Sequence, residues 1–172
     1  MNLSEATVQN IIFGAIFLFF IAIAWLLAEF KGMKDEMRER FGINNETIKL
    51  KLQAYERLTL YAERSSLKNL VSRTPASGQT VVDLQIAFID TLRSEYEYNV
   101  SQQIYLTSDM WKAVGNLKDQ NIYIINQLAA TLPSQANGIE LSKRILEYAA
   151  NSNSDLSVIV LEALRYEAKK IL

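Results

Sequence analysis

The residues best spaced for nucleophilic catalysis are Ser65-Ser66-Leu67-Lys68, which have the S-x-x-K spacing. On a helix, this spacing places a serine hydroxyl and a lysine amine about one turn apart, as in penicillin-recognising enzymes. Those enzymes also require S-D-N and K-T-G elements on a mixed sheet, and neither tripeptide occurs in this sequence. We therefore interpret the S-x-x-K segment as part of an exposed helical face.

Two nearby carboxylates, Glu95 and Glu97, are the candidates for acid–base chemistry. Residues two apart on a helix point about 200° away from each other, so these carboxylates cannot act on one substrate. The chain has no histidine and no cysteine, which removes imidazole bases, thiolate nucleophiles, disulfides and metal ligation by those groups. Phosphate-binding glycine loops are also missing from the sequence. We predict no catalytic residue, no cofactor, no metal site and hence no enzyme.

The overall composition favours helices and gives no electrostatic attraction to nucleic acid. The 172 residues include only six glycines and two prolines, the residues that sheets with many tight turns require. The 18 basic and 19 acidic side chains leave a net charge of −1, so nucleic-acid binding is not expected. The sequence predicts an all-α fold.

An apolar run without any charged, hydroxyl or amide side chain covers residues 11–28, IIFGAIFLFFIAIAWLLA. A helix of this length is about 27 Å long, close to the roughly 30 Å thickness of the bilayer interior. The run predicts a transmembrane helix over residues 11–30, with the lipid bilayer as a partner. The alternatives are a buried core helix and a signal peptide cleaved near Ala24, but residues 1–10 lack the basic side chains of a signal peptide.

Basic residues lie on only one side of this run, and they predict its orientation. The run is followed by Lys31, Lys34, Arg38 and Arg40, whereas residues 1–10 contain no Lys or Arg. Lys and Arg residues that flank a span are retained on the cytoplasmic side of the membrane. We predict a single-pass membrane protein, with its N-terminus outside and its C-terminal domain in the cytoplasm. The predicted parts are a tail (1–10), the span (11–30), a charged juxtamembrane helix (31–43) and a cytoplasmic helical domain (44–172).

The cytoplasmic domain is predicted to be a bundle of about five helices. Gly42, Asn44 and Asn45 are typical of a helix end followed by a new N-cap, and residues 74–79 are typical of a linker. Thr80 and Asp83 have the spacing of a capping box. A short helical solenoid is the alternative architecture, but no self-similar repeat is found. The predicted helices cover residues 46–73, 80–106, 109–132, 139–150 and a final segment from Leu156, after a cap run over 151–155.

The helix predicted over residues 80–106 has a core stripe and a second face that carries no charge between residues 87 and 105. The core stripe is formed by Val81, Phe88, Leu92 and Tyr96. The second face is formed by small residues and tyrosines: Ala87, Ser94, Tyr98, Ser101 and Tyr105. We interpret this second face as internal to the bundle, and a docking face for another protein is the alternative.

An uncharacterised family of small single-span membrane proteins from Bacteroidetes-type bacteria resembles this chain in three stretches. They are LKLQAYERLTLYAERSSLKNL (50–70), SEYEYNVSQQIY (94–105) and WKAVGNLKDQNIYIINQLAATLP (111–133). The resemblance covers roughly residues 48–133 and the N-terminal span. It implies a bacterial inner-membrane setting, and it brings no activity and no functional residues.

These observations predict a membrane-anchored helical module that binds a protein partner of unknown identity. The alternative is an accessory subunit of a larger inner-membrane complex, in which the transmembrane helix packs against partner helices. A membrane-bound enzyme ranks third, because none of the catalytic patterns considered above is complete. Homo-oligomerisation is compatible with each of these functions.

Overall fold

The computed structural model of the protein describes residues 5–151 and 155–171. Over these residues the fold is all-α with no strand, as predicted. The chain divides into two compact units, Met1–Thr47 and Ile48–Leu172. The helices are α1 (Glu5–Ser65), α2 (Leu67–Arg73), α3 (Val81–Tyr98), a 3₁₀ helix (Val100–Tyr105), α4 (Ser108–Ala129), α5 (Gly138–Asn151) and α6 (Leu156–Lys169).

The first unit contains the apolar part of α1. Its most apolar 18-residue window has a mean hydropathy of 1.9, and none of this window is buried by the rest of the protein. Large apolar side chains such as Phe17, Trp25 and Leu27 are exposed. This helix is long and apolar enough to cross a membrane, so it is compatible with the predicted span.

The predicted helix end at Gly42, Asn44 and Asn45 is wrong, because α1 continues through these residues without a break. A glycine inside an exposed helix costs only about 1 kcal/mol relative to alanine, and asparagine costs less. None of the three residues has the positive φ of a helix-ending position, which in the described residues occurs only at Gly78, with φ 77°. The local signals for a helix end are therefore too weak to overcome the helical residues on both sides.

The helix predicted over residues 46–73 is interrupted at Ser66, which leaves the helical conformation with ψ 138° and caps α2. The Ser66 hydroxyl accepts a hydrogen bond from the Asn69 backbone N–H at 3.3 Å. The Ser65 carbonyl, freed by the break, accepts one from Nδ2 of Asn121 in α4 at 2.7 Å. This buried side-chain donor replaces the missing helical hydrogen bond, which makes the break stable.

Helix α3 starts as predicted and ends earlier than predicted. The Thr80 side chain and the Asp83 carboxylate form the expected capping box. The helix stops at Tyr98, and residues 100–105 form a separate 3₁₀ helix. Asn99 is buried at this junction, and its Nδ2 donates to the Glu95 carbonyl at 2.8 Å. The uninterrupted helix predicted over 80–106 is therefore wrong in its last quarter.

The later helices are close to their predicted positions. Helix α4 begins one residue early and ends three residues early, and its N-cap is Thr107, whose side chain accepts from the Met110 backbone N–H at 3.2 Å. The predicted cap run over 151–155 includes residues 152–154, which lie outside the described residues. Asp155 does cap α6, and its Oδ1 accepts from the Ser157 backbone N–H at 2.9 Å.

Helix α4 contributes to both hydrophobic cores of the second unit. One core contains residues from α2, α3, α4 and α5, including Phe88 and Ile125. The other contains residues from the C-terminal part of α1, α4 and α6, including Leu58 and Leu117. The predicted core stripe of α3 is confirmed, because Val81, Phe88 and Leu92 are buried and Tyr96 is half-buried. The helix packed on two sides is thus α4.

Candidate functional site

The exposed helical face expected for the S-x-x-K residues is wrong at both serines, which have structural roles instead. Ser65 and Ser66 are both buried at the junction between α1 and α2, and Lys68 is exposed on α2. The Ser66 hydroxyl is used as a helix cap. The helix break between Ser65 and Lys68 removes the one-turn geometry that the S-x-x-K interpretation requires.

Glu95 and Glu97 also have separate environments, as their spacing indicates. The Glu95 carboxylate binds two arginines through Oε1, with Arg64 Nη2 at 3.0 Å and Arg73 Nη1 at 3.1 Å. Arg73 Nη2 also donates to the Arg64 carbonyl at 3.0 Å. Glu97 is exposed. Glu95 therefore joins α1, α2 and α3, and two guanidinium groups already bind its carboxylate.

The second face predicted on α3 is divided by the end of that helix. Ala87 is half-buried, whereas Ser94 and Tyr98 are exposed, and the Tyr98 side chain is 76% exposed. Ser101 and Tyr105 belong to the 3₁₀ helix, which has about 3.0 residues per turn instead of 3.6 and so ends the α-helical alignment. Tyr105 lines a cavity of about 340 Å³ beside Tyr55 and Glu167, and neither Ser94 nor Tyr98 lines this cavity. The preferred interpretation of this face as internal is wrong at Tyr98, and its role in docking stays a prediction.

Ser94 and Tyr98 contribute instead to a groove between α3 and the C-terminal part of α1, which we call the α1–α3 groove. Its volume is about 490 Å³. Leu60 is 57% exposed on its α1 side and Tyr98 is 76% exposed on its α3 side. The residues that line it are Arg57, Leu60, Tyr61, Arg64, Ser94, Glu95, Tyr98 and Asn99.

Arg57 is held over the Tyr98 ring in this groove. Its guanidinium carbon lies 4.9 Å from the ring centre. Its Nε donates to Asn99 Oδ1 and its Nη2 to the Tyr98 carbonyl, each at 3.4 Å. None of these contacts is with a carboxylate. Both arginines of the groove are permanently charged, and Glu95 is the one carboxylate in its lining, so the groove carries a net positive charge.

An aromatic cluster lies beneath the groove. Tyr61 is buried and packs edge-on against Tyr96 with ring centres 6.2 Å apart, and Tyr96 stacks on Trp111 at 5.0 Å. Lys118 Nζ lies 4.5 Å from the centre of the Tyr96 ring. Burial raises the pKa of Tyr61 to about 12 and also raises the pKa of Tyr96. Both phenols are therefore neutral at physiological pH, and Tyr61 is the member of this cluster that lines the groove.

A larger cavity, of about 700 Å³, is lined by residues of α2, α4, α5 and α6, including Tyr123, Tyr148 and Ile159. Its two carboxylates already have structural roles. Asp119 Oδ1 lies 3.1 Å from Lys118 Nζ, and Asp155 caps α6. Among the residues that the structure describes, no group of three or more His, Cys, Asp and Glu side chains is placed to hold a metal ion.

Comparison with known protein families identifies a family that covers nearly the whole chain. Residues 1–171 match the model of a protein family described as a family of unknown function (DUF7935). No curated protein and no solved structure matches the chain.

Proposed function

The chain belongs to DUF7935, a family of unknown function, and we propose that it is a membrane-anchored helical protein-interaction module. The exposed apolar part of α1 supports the anchor, because its side chains have no protein core to cover them. The four basic residues that follow the apolar run support a cytoplasmic location for the second unit. Membership of a family of unknown function agrees with the resemblance described above in that neither brings an assigned activity. The Bacteroidetes-type origin, the membrane span and the bacterial inner membrane stay predictions.

The docking site in this proposal is the α1–α3 groove. The observation that carries it is Arg57, a guanidinium fixed on the Tyr98 ring without a carboxylate partner among its contacts. Exposed aromatic residues and arginines are the side chains that contribute most to binding at protein interfaces. Leu60 adds an exposed aliphatic surface beside them. The groove therefore fits a partner segment with at least one acidic and one large apolar side chain.

The surroundings of the groove restrict where the acidic side chain binds. Arg57 and Leu60 also line a neighbouring depression that contains Glu56 and Glu63. These carboxylates repel an acidic ligand from that depression, whereas Arg57 and Arg64 attract it into the groove. We expect the acidic side chain at Arg57 and the apolar side chain between Leu60 and Tyr98.

A peptide-binding measurement tests this site with the full chain in detergent micelles. A peptide of alternating Glu and Leu residues should bind, and a Lys-Leu peptide of equal length should not. Arg57→Ala should weaken binding about tenfold or more, because charge-assisted hydrogen bonds contribute about 1.5–3 kcal/mol. The control Arg165→Ala removes an exposed arginine of α6 and should leave the affinity unchanged. Equal binding of both peptides, or equal effects of both substitutions, would contradict the proposal.

A photo-cross-linking comparison distinguishes this function from that of an accessory subunit. A photoreactive residue at Tyr98 should form an adduct with a partner protein in native membranes, and Arg57→Ala should remove that adduct. The same residue at Trp25, which is 67% exposed in the apolar part of α1, should form no adduct with a different protein. Adducts at Trp25 and none at Tyr98 would favour the accessory subunit.

A further inference from the structure

Four large apolar side chains form an exposed stripe on α1 beyond the apolar run. Phe30, Met33, Met37 and Phe41 are exposed to 58%, 52%, 53% and 66%. At about 100° per residue they lie within an arc of about 80°. None of the charged residues between positions 30 and 41 falls inside this arc. Because α1 is continuous here, the stripe is a single uncharged surface, which we call the juxtamembrane stripe.

The two edges of the juxtamembrane stripe carry opposite charges. Lys31, Lys34 and Arg38 lie along one edge by helical position. Glu29 and Glu36 lie along the other, where Arg40 is also placed and binds Glu36 at 2.8 Å. One edge is therefore basic, and the other is acidic with one neutralised carboxylate.

We propose that a second copy of this chain covers the juxtamembrane stripe, in a parallel helix pair. The parallel direction rests on the proposed membrane anchor, since two copies inserted in one bilayer point the same way. In a parallel symmetric pair, the basic edge of each helix faces the acidic edge of the other, whereas an antiparallel pair brings like edges together. Glu29 and Lys34 are five residues apart, the spacing at which facing edge residues of parallel helices meet.

The spacing of the stripe also predicts the geometry of the pair. Phe30 and Phe41 are eleven residues apart, and the steps between the four residues are three, four and four. These steps average about 3.67 residues per turn, close to the 3.6 of a straight helix, so the two helices are expected to pack along this short segment with little supercoiling.

The charges argue against the membrane surface as the covering partner. Helices that lie on anionic bilayers carry basic residues along their polar face. Here Asp35 and Glu39 are placed opposite the stripe, and Glu29 and Glu36 are on one edge. These four carboxylates balance the four basic residues of the same segment, so the segment has no net charge to attract anionic lipid, whereas a second copy pairs the acidic edge with its own basic edge.

Disulfide cross-linking tests the pair in the full chain, because the natural sequence has no cysteine. Each residue from 29 to 41 is replaced singly by cysteine, and native membranes are treated with an oxidant. The yield of linked dimer should be highest at positions 30, 33, 37 and 41, where Cα atoms approach closely enough for a disulfide. Met37→Cys should give several times the yield of the matched control Glu39→Cys, on the opposite side of the helix.

A charge exchange tests the edges separately. In the Met37→Cys background, Lys34→Glu should lower the yield of dimer, and adding Glu29→Lys should restore it. Uniform yields, maxima at positions 35 and 39, or a charge exchange without effect would overturn the proposal. Cross-linking at one position alone would also overturn it, since an antiparallel pair brings identical residues together only where the helices cross.

Alkaline carbonate extraction separates this proposal from the proposed function. Protein that stays in the membrane without periodic cross-linking overturns the pair and leaves the anchor intact. Protein that is extracted but still shows the periodic pattern supports the pair and contradicts the anchor. Peptide binding through Arg57 is measured independently of both experiments, and it tests the α1–α3 groove alone.

Discussion

Glu95 connects the two sides of the α1–α3 groove through its arginine partners. The carboxylate is on α3, Arg64 is on α1 and Arg73 is on α2, so three helices meet at one oxygen atom. These side chains are partly exposed, and such ion pairs contribute only about 0–1 kcal/mol each to stability. Their main consequence is that Arg64 on the α1 side of the groove and Glu95 on the α3 side are each bound to a charged partner, whereas Arg57 is not.

Tyr98→Ala is expected to leave the free energy of unfolding nearly unchanged. The side chain is 76% exposed and its main contact is the Arg57 guanidinium, so the loss should not exceed about 1 kcal/mol. The control Leu92→Ala removes a buried side chain of the same helix and should cost about 2–5 kcal/mol. Thermal or denaturant unfolding of both variants measures the difference. A loss at Tyr98 equal to that at Leu92 would show that Tyr98 is packed in solution.

Tyr61 should make the folded protein less stable in alkali. Burial raises its pKa from about 10 to about 12, so between these values the unfolded chain loses this proton and the folded chain keeps it. The stabilisation from this group is complete below pH 10 and decreases as the pH rises toward 12.

The test is the fall in unfolding free energy between pH 9 and pH 11, measured with denaturant. Tyr61→Phe should reduce this fall. The fall should not vanish, because burial and a 2.7 Å hydrogen bond to Glu167 also raise the pKa of Tyr55. An unchanged fall in the Tyr61→Phe variant would show that the Tyr61 hydroxyl titrates normally.

The continuity of α1 leads to a prediction at Gly42. A Cβ built on this glycine meets no atom within 4 Å, and its φ is not positive. Gly42→Ala should therefore stabilise the helix locally by about 1 kcal/mol and slow tryptic cleavage after Arg40 roughly fivefold. Gly78→Ala is the contrasting variant, because its φ of 77° is unfavourable for alanine, and it should lower the melting temperature. Faster cleavage in Gly42→Ala would mean that the helix ends there.

The helix boundaries show which features local sequence could predict. The start of α3 depends on Thr80 and Asp83, three residues apart, and their capping box was predictable. The break at Ser66 depends on Asn121, 56 residues away from Ser65 in the chain. The end of α3 involves Asn99, which contacts Arg57 from another helix. Such boundaries require knowledge of the tertiary contacts, and no local pattern contains them.

The difference between local patterns and tertiary contacts also explains which residues of the groove could be predicted. Ser94 and Tyr98 were found from the absence of charge on one face of α3, a signal that exposed and internal faces share. Arg57, Leu60 and Arg64 were missed because they come from a different helix and look like ordinary surface residues in sequence. The available signal was the spacing of Arg57, Leu60 and Arg64. It places two arginines two helical turns apart with an aliphatic side chain between them.

At the level of the whole molecule, both compact units expose surfaces that are suited to binding another molecule. The first unit exposes the apolar part of α1 and the juxtamembrane stripe. The second unit has two hydrophobic cores of its own, joined through α4, and exposes the α1–α3 groove. We infer a division of roles in which the first unit anchors and pairs the protein, and the second unit binds its partner.

The orientation of the whole chain is the last prediction, and it depends on the basic residues after the apolar run. Lys31, Lys34, Arg38 and Arg40 should keep the second unit in the cytoplasm, because no basic residue precedes the run. A cytoplasm-active reporter fused after the C-terminus should be active, and a periplasm-active reporter should be inactive. Replacing these four residues by Gln and adding two lysines within residues 1–10 should activate the periplasmic reporter in part of the population. Periplasmic activity in the unmodified chain would reverse the proposed orientation.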